Sequence, residues 1–238
     1  MRRKNQPNEI LKRLKSLANP EAVAGMVRFG INPSDRTLGV SIPNLRKIAR
    51  ETGKDHSLAG QLWKSGIHEA RTLAGMIDDP AMVTDGQLED WVKEFDSWDV
   101  CDQCCSNLFD KTGFAYQKAM EWSERKEEFV KRAGFVLMAA LAVHGKERDD
   151  KEFEKFLPII KKASNDDRNF VKKAVNWALR QIGKRSLHLN RKAIETAERI
   201  RRIDSKSARW IASDALRELT SEAVQRRLKG KTDSQPRI

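Results

Sequence analysis

The sequence predicts an all-α protein made of stacked helical repeats. Apolar residues recur at helical spacing along most of the chain, and alternating runs of β-branched residues are scarce. Short stretches also repeat along the second half of the chain, with a separation typical of stacked helix pairs. Together these observations favour a solenoid of helices over a fold that contains a sheet.

Three apolar stripes predict individual helices. The first comprises Ile10, Leu11, Leu14 and Leu17, the second runs from Phe129 to Ala140, and the third from Phe170 to Leu179. In each stripe, the spacing of three or four residues places the apolar side chains on one face of a helix. Clusters of Pro, Gly, Ser, Asn and Asp separate the predicted helices at residues 32–35, 39–43, 78–80, 145–146 and 164–167.

The repetition is clearest in the second half of the chain. Phe129–Ala133 (FVKRA) is matched 41 residues later by FVKKA, and Ala178–Arg180 recurs 37 residues later as a second Ala-Leu-Arg. This period indicates two-helix units of the HEAT type. We therefore expect an all-α, HEAT-like helical repeat solenoid with a concave basic face. It would form one domain over residues 1–228, followed by a disordered tail at 229–238.

The charge of the chain is unevenly distributed. Residues 1–50 carry +8, residues 51–124 carry −9 and residues 125–238 carry +13, which gives the net charge of +12. Basic regions on both sides of an acidic middle favour a polyanion partner such as DNA or RNA. The basic start lacks the apolar stretch of a signal peptide, and no apolar run reaches membrane-spanning length. We therefore expect a cytoplasmic protein.

Residues 95–105 (FDSWDVCDQCC) combine carboxylates with all three cysteines of the chain. Three interpretations are a metal site, a helix start and the acid of an active site. The cysteines lack a fourth ligand at zinc-binding spacing, so we expect them to pack in the core and expect no metal. Asp96 is placed as the N-cap of a helix, with Asp99 three residues later as in a capping box. These two acids therefore have a structural explanation.

Asp102 lies beyond the predicted cap, four residues after Trp98 and so on the same side of the helix. A carboxylate there either pairs with an arginine of the fold, such as Arg132 or Arg180, or meets a cation that arrives with a ligand. Trp177 and the two arginines lie amid apolar residues. All five side chains could form one pocket, although helical spacing alone equally places Trp177 in the core.

At these residues the chain resembles the AlkD-like DNA glycosylases, a HEAT-repeat family of DNA alkylation repair enzymes. The similarity covers roughly residues 7 to 225. Its most specific elements are the pattern W-D-x-x-D at residues 98–102 and the pattern K-A-x-x-W-x-L-R at residues 173–180. Further matching stretches are LGVSIP at 38–43, LW at 62–63, HEAR at 68–71, RA at 132–133 and RWIASDALR at 209–217.

The resemblance implies site residues and an activity. Asp102 would be the catalytic carboxylate, and Trp98 and Trp177 would be the aromatic pair that holds the lesion nucleotide. Arg132 and Arg180 would hold the nearby DNA backbone. The implied reaction is excision of cationic N3- and N7-alkylated purines from duplex DNA by a monomer, without a metal or an organic cofactor.

Two positions depart from the family pattern. Ser97 stands where the family often has an aromatic residue. Phe29 stands where it has a tyrosine that lines the cleft, beside an insertion or deletion at residues 32–37. We therefore expect Phe29 to contact DNA without the phosphate contact that a hydroxyl would supply. An alternative function is a non-catalytic HEAT scaffold that binds DNA or RNA through phosphates; a protein-binding solenoid fits the charge less well.

Overall fold

The computed structural model describes residues 6–233, and every regular element in that range is a helix. Two short 3₁₀ helices span Val27–Phe29 and Phe109–Lys111. The α-helices are α1 (Pro7–Ser16), α2 (Pro20–Met26), α3 (Ile42–Thr52), α4 (His56–Lys64), α5 (His68–Ile77), α6 (Asp85–Lys93), α7 (Trp98–Asn107), α8 (Ala115–Ser123), α9 (Glu128–His144), α10 (Asp150–Glu154), α11 (Phe156–Ala163), α12 (Asn169–Gly183), α13 (Leu187–Arg201), α14 (Lys206–Leu219) and α15 (Glu222–Asp233). The all-α prediction is confirmed.

Local sequence signals set where many helices begin and end. Helices α1, α2 and α3 carry proline in the first turn, where no backbone N–H is needed. Six helix starts, that of α2 among them, are capped by side-chain oxygens that accept a hydrogen bond from a backbone N–H; these N-caps are Asn19, Asp55, Thr84, Asp149, Ser186 and Ser205. The predicted breaks fall at helix junctions; for example, Gly145 ends α9 and Ser164 ends α11.

The chain divides into two compact units, of which the first ends at Thr112 and the second begins at Gly113. The sequence had indicated one domain. Helix α15 continues through residues 229–233 of the expected tail, and residues 234–238 lie outside the described residues, so the domain and tail boundaries stay predictions. The buried side chains of Val224 and Leu228 hold this helix in place.

In the first unit, α5 packs against α3, α4 and α7. An aromatic cluster supports these helices: the rings of Trp63 and Trp91 stack at 4.0 Å, and Phe95 and Phe109 pack beside them. The cysteines of α7 are free thiols buried in the core, as the sequence predicted. Burial raises the pKa of two of them, Cys104 and Cys105, well above the ordinary value, so both are held as neutral thiols.

In the second unit, helices pair as α8 with α9, α11 with α12 and α13 with α14. The second helices of these pairs also pack in series, α9 against α12 and α12 against α14. The two repeated segments FVKRA and FVKKA contact each other, since the rings of Phe129 and Phe170 lie 5.6 Å apart. These are HEAT-like pairs. No helix among residues 6–233 is long and apolar enough to cross a membrane.

Candidate functional site

Helix α7 begins one residue later than the sequence predicted. Its N-cap is Ser97, in extended conformation, so Asp96 is not the cap and Asp99 is the second helical residue. The Ser97 side chain does not cap the helix and instead donates to Asp99 Oδ1 over 2.6 Å. The buried Ser97 fixes the extended backbone before the helix, while Asp96 points to solvent. Asp99 is therefore more than a cap residue.

His68 and Asp99 join the start of α5 to the first turn of α7. His68 Nε2 lies 2.8 Å from Asp99 Oδ2. Burial acts to lower the pKa of His68, but the hydrogen bond and charge of Asp99 outweigh it and raise the pKa. Burial acts to raise the pKa of Asp99, and His68 outweighs it and lowers the pKa. The pair therefore favours the imidazolium–carboxylate form.

Trp98 is the first residue of α7, and its side chain is half-buried. Its Nε1 donates a hydrogen bond to the carbonyl oxygen of Phe29 over 3.0 Å. The 3₁₀ helix that presents this carbonyl is followed by Gly30, at a φ of 75° that glycine adopts readily. The structure thus brings two predicted site residues together, through the ring of Trp98 and the backbone of Phe29. The Phe29 side chain is 68% exposed.

A mostly apolar cavity of about 400 Å³ opens beside Trp98 and Phe29. Its polar lining includes His68, Asp99 and Gln103. Sequence reasoning did not single out His68 or Gln103 as site residues. Asp99 and Gln103 share a helix face at a spacing of four, which was a readable signal. The contact of His68 with Asp99 spans 31 residues and left no local signal.

The loop before α3 forms another part of the cavity wall. Glu69, 2% exposed, accepts hydrogen bonds from the backbone N–H groups of Leu38 and Gly39 over 2.9 and 2.6 Å. Gly39 has a φ of 75°, and a Cβ there would lie 2.4 Å from the carbonyl oxygen of Asn19. The buried carboxylate and the glycine together fix the loop in this position.

Asp102 lies on α7 one turn after Trp98 and is half-buried. Its neighbours Cys101 and Cys105 are fully buried, so the carboxylate stands at the edge of the apolar face, as the sequence predicted. It does not line the cavity beside Trp98, which Asp99 and Gln103 border from the same helix. Trp98 also borders this cavity, so Asp102 follows a cavity-lining residue by one turn of α7.

The remaining predicted site residues belong to the second unit. Arg132 of α9 is 5% exposed, and its Nη1 donates to the carbonyl oxygen of Phe170 in α12 over 2.6 Å. Trp177 is half-buried on α12, three residues before Arg180 and so on the same face. That these residues form one cleft with Trp98 and Asp102 stays a prediction.

Arg180 is held by two carboxylates of α14. Its Nη1 lies 2.7 Å from Asp214 Oδ2, and its Nε forms an ion pair with Glu218. Asn176 also donates to Asp214 over 2.7 Å. Burial acts to raise the pKa of Asp214, but Asn176 and Arg180 outweigh it and lower the pKa. Within the second unit, Arg180 therefore has structural partners.

The second unit carries the whole net charge of the chain. Residues 113–238 hold 30 Lys and Arg against 18 Asp and Glu, a net +12, whereas residues 1–112 hold 16 of each. Such a balance favours an anionic partner for the second unit. Among residues 6–233, no group of three or more His, Cys, Asp or Glu side chains could hold a metal ion.

Comparison with solved structures identifies the fold. One similar structure, from a study of "a new family of proteins related to the HEAT-like repeat DNA glycosylases with affinity for branched DNA structures", has a TM-score of 0.75 and 17% identity over 90% of this chain and 96% of its own. A designed armadillo repeat protein in complex with a (KR)4 peptide has a TM-score of 0.38 and 14% identity, over 79% and 90%. No curated protein matches the sequence.

The fold is therefore that of a HEAT-like helical repeat protein. A family model described as "DNA alkylation repair enzyme" matches residues 10–219, and the chain belongs to this family.

Proposed function

We propose that this protein is a DNA glycosylase that hydrolyses the N-glycosidic bond of N3- and N7-alkylated purines in duplex DNA. Membership of the DNA alkylation repair family supports the reaction class. The observation that carries the proposal is the placement of Asp102 one turn after Trp98 on the same side of α7. The indole of Trp98 is held by its hydrogen bond to the carbonyl oxygen of Phe29. A carboxylate beside an oriented aromatic ring suits the stabilisation of a cationic sugar.

The proposed reaction needs no general acid. An alkyl group on N3 or N7 makes the purine cationic, so the base leaves with the electron pair of the C1′–N bond and becomes neutral. Positive charge develops on the deoxyribose, where the Asp102 carboxylate stabilises it and orients a water molecule. The water oxygen bonds to C1′ and its proton is released. The products are the free alkylpurine and an abasic site.

Trp98 and Trp177 are proposed to present aromatic faces to the lesion nucleotide. An aromatic face attracts a cationic sugar through its quadrupole, most strongly when water is excluded. The hydrogen bond to Phe29 fixes the Trp98 ring in advance, so little side-chain entropy is lost on binding. The exposed Phe29 side chain offers a further apolar contact to the DNA backbone.

Arg132 and Arg180 are proposed to hold the DNA backbone. Arg180 uses Nη1 and Nε for Asp214 and Glu218, which leaves Nη2 to donate to a phosphate. The carboxylates of Asp214 and Glu218 fix the plane of the Arg180 guanidinium. Their negative charge also weakens the electrostatic attraction between Arg180 and an anion. Arg132 is more deeply buried, so we expect it to position the first turn of α12 as well as to meet the DNA.

The test is release of free base from duplex DNA that carries N7-methylguanine. We expect Asp102→Asn to lower the single-turnover rate at least about 100-fold while the Kd for DNA changes less than about threefold, since the lost charge acts in the transition state. Asp90→Asn, the same change at an exposed site on α6, is the matched control and should retain the parent rate. Equal rates for the parent and Asp102→Asn would remove Asp102 from the mechanism.

A second candidate is a non-catalytic DNA-binding protein. The structurally similar protein described above has affinity for branched DNA, and Ser97 replaces an aromatic residue that the resemblance places beside Trp98. In the same assay, absence of base release by the parent, together with tight binding of a DNA junction by both the parent and Asp102→Asn, would favour this candidate.

A further inference from the structure

Two aromatic side chains stand among the exposed large apolar residues of the described chain: Phe29 and Trp210. Phe29 belongs to the proposed site, whereas Trp210, 42% exposed on α14, has no part in the proposed hydrolysis. Tryptophan is usually well buried, since its ring offers more apolar area to the core than any other side chain. An indole left in solvent is therefore a candidate for contact with a partner.

One cationic side chain lies over this indole, and two more are its neighbours along α14. Lys172 Nζ of α12 lies 5.6 Å from the centre of the ring, within cation–π range. Lys206 stands one turn before Trp210 on α14, and Arg209 precedes it directly. In the described part of the chain neither lysine has an ion-pair partner, and Arg209 pairs only with the fully exposed Asp204, a weak pairing. We call Lys172, Lys206, Arg209 and Trp210 the Trp210 patch.

The Trp210 patch adjoins the proposed backbone-binding residues of the second unit. Asp214, which holds Asn176 and Arg180, stands one turn after Trp210 on α14. The patch and Arg180 therefore belong to the same α12–α14 surface. A DNA strand held at Arg180 would reach the indole within a short run of nucleotides.

We infer that the Trp210 patch binds unpaired nucleotides of DNA, with the indole stacked on a base and the lysines contacting flanking phosphates. The inference rests on the DNA binding of the proposed function but not on hydrolysis. An aromatic ring beside free cations is how proteins hold single strands, because every unpaired base offers a flat face and every linkage a phosphate. In an intact duplex the base faces are already stacked, so the ring meets no equivalent surface there.

The test compares two labelled DNAs: a blunt duplex and the same duplex with a short single-stranded overhang. We expect Trp210→Ala to weaken binding of the overhang DNA about tenfold and of the blunt duplex less than about twofold, because only the overhang offers a base for stacking. Trp210→Phe should retain most of the overhang affinity. Val143→Ala, at an apolar residue of similar exposure on α9, is the matched control and should alter neither affinity.

Lys172→Ala supplies a second readout that does not depend on the indole. We expect it to lower the slope of log affinity against log salt for the overhang DNA by about 0.7, the value for one phosphate contact on a single strand. Unchanged thermal unfolding of each variant would show that the fold is kept. Trp210→Phe also tests the stacking if the alanine variant is unstable.

Several outcomes overturn the inference: a parent without preference for the overhang, a Trp210→Ala variant that keeps the preference, or equal losses on both DNAs. Measuring base release in parallel shows whether the Trp210 inference fails, the proposed hydrolysis fails, or both do. A preference that disappears in Trp210→Ala, in a protein that releases no base, supports the inference and contradicts the proposed hydrolysis. An active glycosylase whose Trp210→Ala variant binds both DNAs like the parent overturns the inference alone.

Discussion

His68 and Asp99 are joined by a hydrogen bond whose strength depends on the protonation of both side chains. His68 is 12% and Asp99 is 23% exposed, so water screens their attraction only partly. The bond ties α5 to the residue that follows Trp98 in the first turn of α7. At the scale of single residues, this pair therefore couples pH to the position of the proposed site.

The sign of the pH dependence follows from the two pKa shifts. The raised pKa of His68 contributes stability that is full below its ordinary pKa of 6.5 and is lost as pH rises through the folded-state pKa. The lowered pKa of Asp99 contributes stability that is present above 3.8 and is lost as pH falls through the folded-state pKa. The stabilising contributions of His68 and Asp99 are therefore both at their maximum only between pH 3.8 and pH 6.5.

We expect His68→Asn to reduce the free energy of unfolding by about 2 kcal/mol at about pH 5 and by clearly less at about pH 9, because the imidazolium loses its proton as pH rises through the folded-state pKa of His68. Urea unfolding of the parent and the variant at both pH values measures the difference. His188→Asn is the matched control, since His188 pairs with Glu154 on the surface and is 51% exposed. Equal losses at the two pH values would contradict an ionic pair.

The same residues show what the sequence could and could not predict of the site. That Trp98 and Asp102 share one side of a helix could be predicted, because residues four apart on a helix lie one turn from each other. The His68–Asp99 contact depends on how α5 packs against α7, which no local pattern encodes. The Arg180 ion pairs with α14 are tertiary in the same way, so the sequence could weigh an acid partner for Arg180 but not identify Asp214.

At the scale of helices, the contact of α8 with α9 depends on a glycine in the middle of α9. A Cβ at Gly134 would lie 2.4 Å from the backbone nitrogen of Ser123 in α8. Backbone atoms cannot move aside as a flexible side chain can, so the two helices approach this closely only with glycine. Gly60 of α4 is the opposite case, because nothing lies within 4 Å of a Cβ added there.

We expect Gly134→Ala to lower the free energy of unfolding by about 2 kcal/mol, although alanine favours an isolated helix by about 1 kcal/mol over glycine. Gly60→Ala, the matched control, should raise it by about 0.5 to 1 kcal/mol, because it gains the propensity without the clash. Urea unfolding of both variants gives the two signs directly. Stabilisation by Gly134→Ala would show that α8 and α9 are not packed this closely.

Helix ends show the same division between local and tertiary information. Breaks rich in Pro, Gly, Ser, Asn and Asp were predicted where helices end, because turn chemistry is local. The start of α7 was misplaced by one residue because Asp96 and Ser97 are both good caps, and burial of Ser97 decides between them. Helix α15 continues into the polar residues 229–233, and its buried Val224 and Leu228 lie before this stretch.

At the scale of the whole molecule, the repeat predicted the fold class because α9, α12 and α14 pack in series and so share a pattern of apolar residues. The division between Thr112 and Gly113 was not predicted, since no linker-like composition separates the short 3₁₀ helix from α8. The charge distribution becomes more informative once it is counted separately for each unit. The basic residues at the start of the chain are balanced by an equal number of acidic residues within the first unit. The net charge of +12 therefore lies in residues 113–238.

This charge distribution predicts which lysines govern DNA affinity. Lys172, Lys173 and Lys206 in the second unit, changed together to Gln, should lower the magnitude of the slope of log affinity against log salt by about 2 for the duplex with the single-stranded overhang. The matched set Lys12, Lys15 and Lys47, exposed in the first unit, should lower it by less than about one, because acidic residues of that unit offset their field. Fluorescence anisotropy over a series of salt concentrations measures both slopes. Equal reductions would show that the DNA contacts both units alike, and that net charge per unit does not determine where the backbone binds.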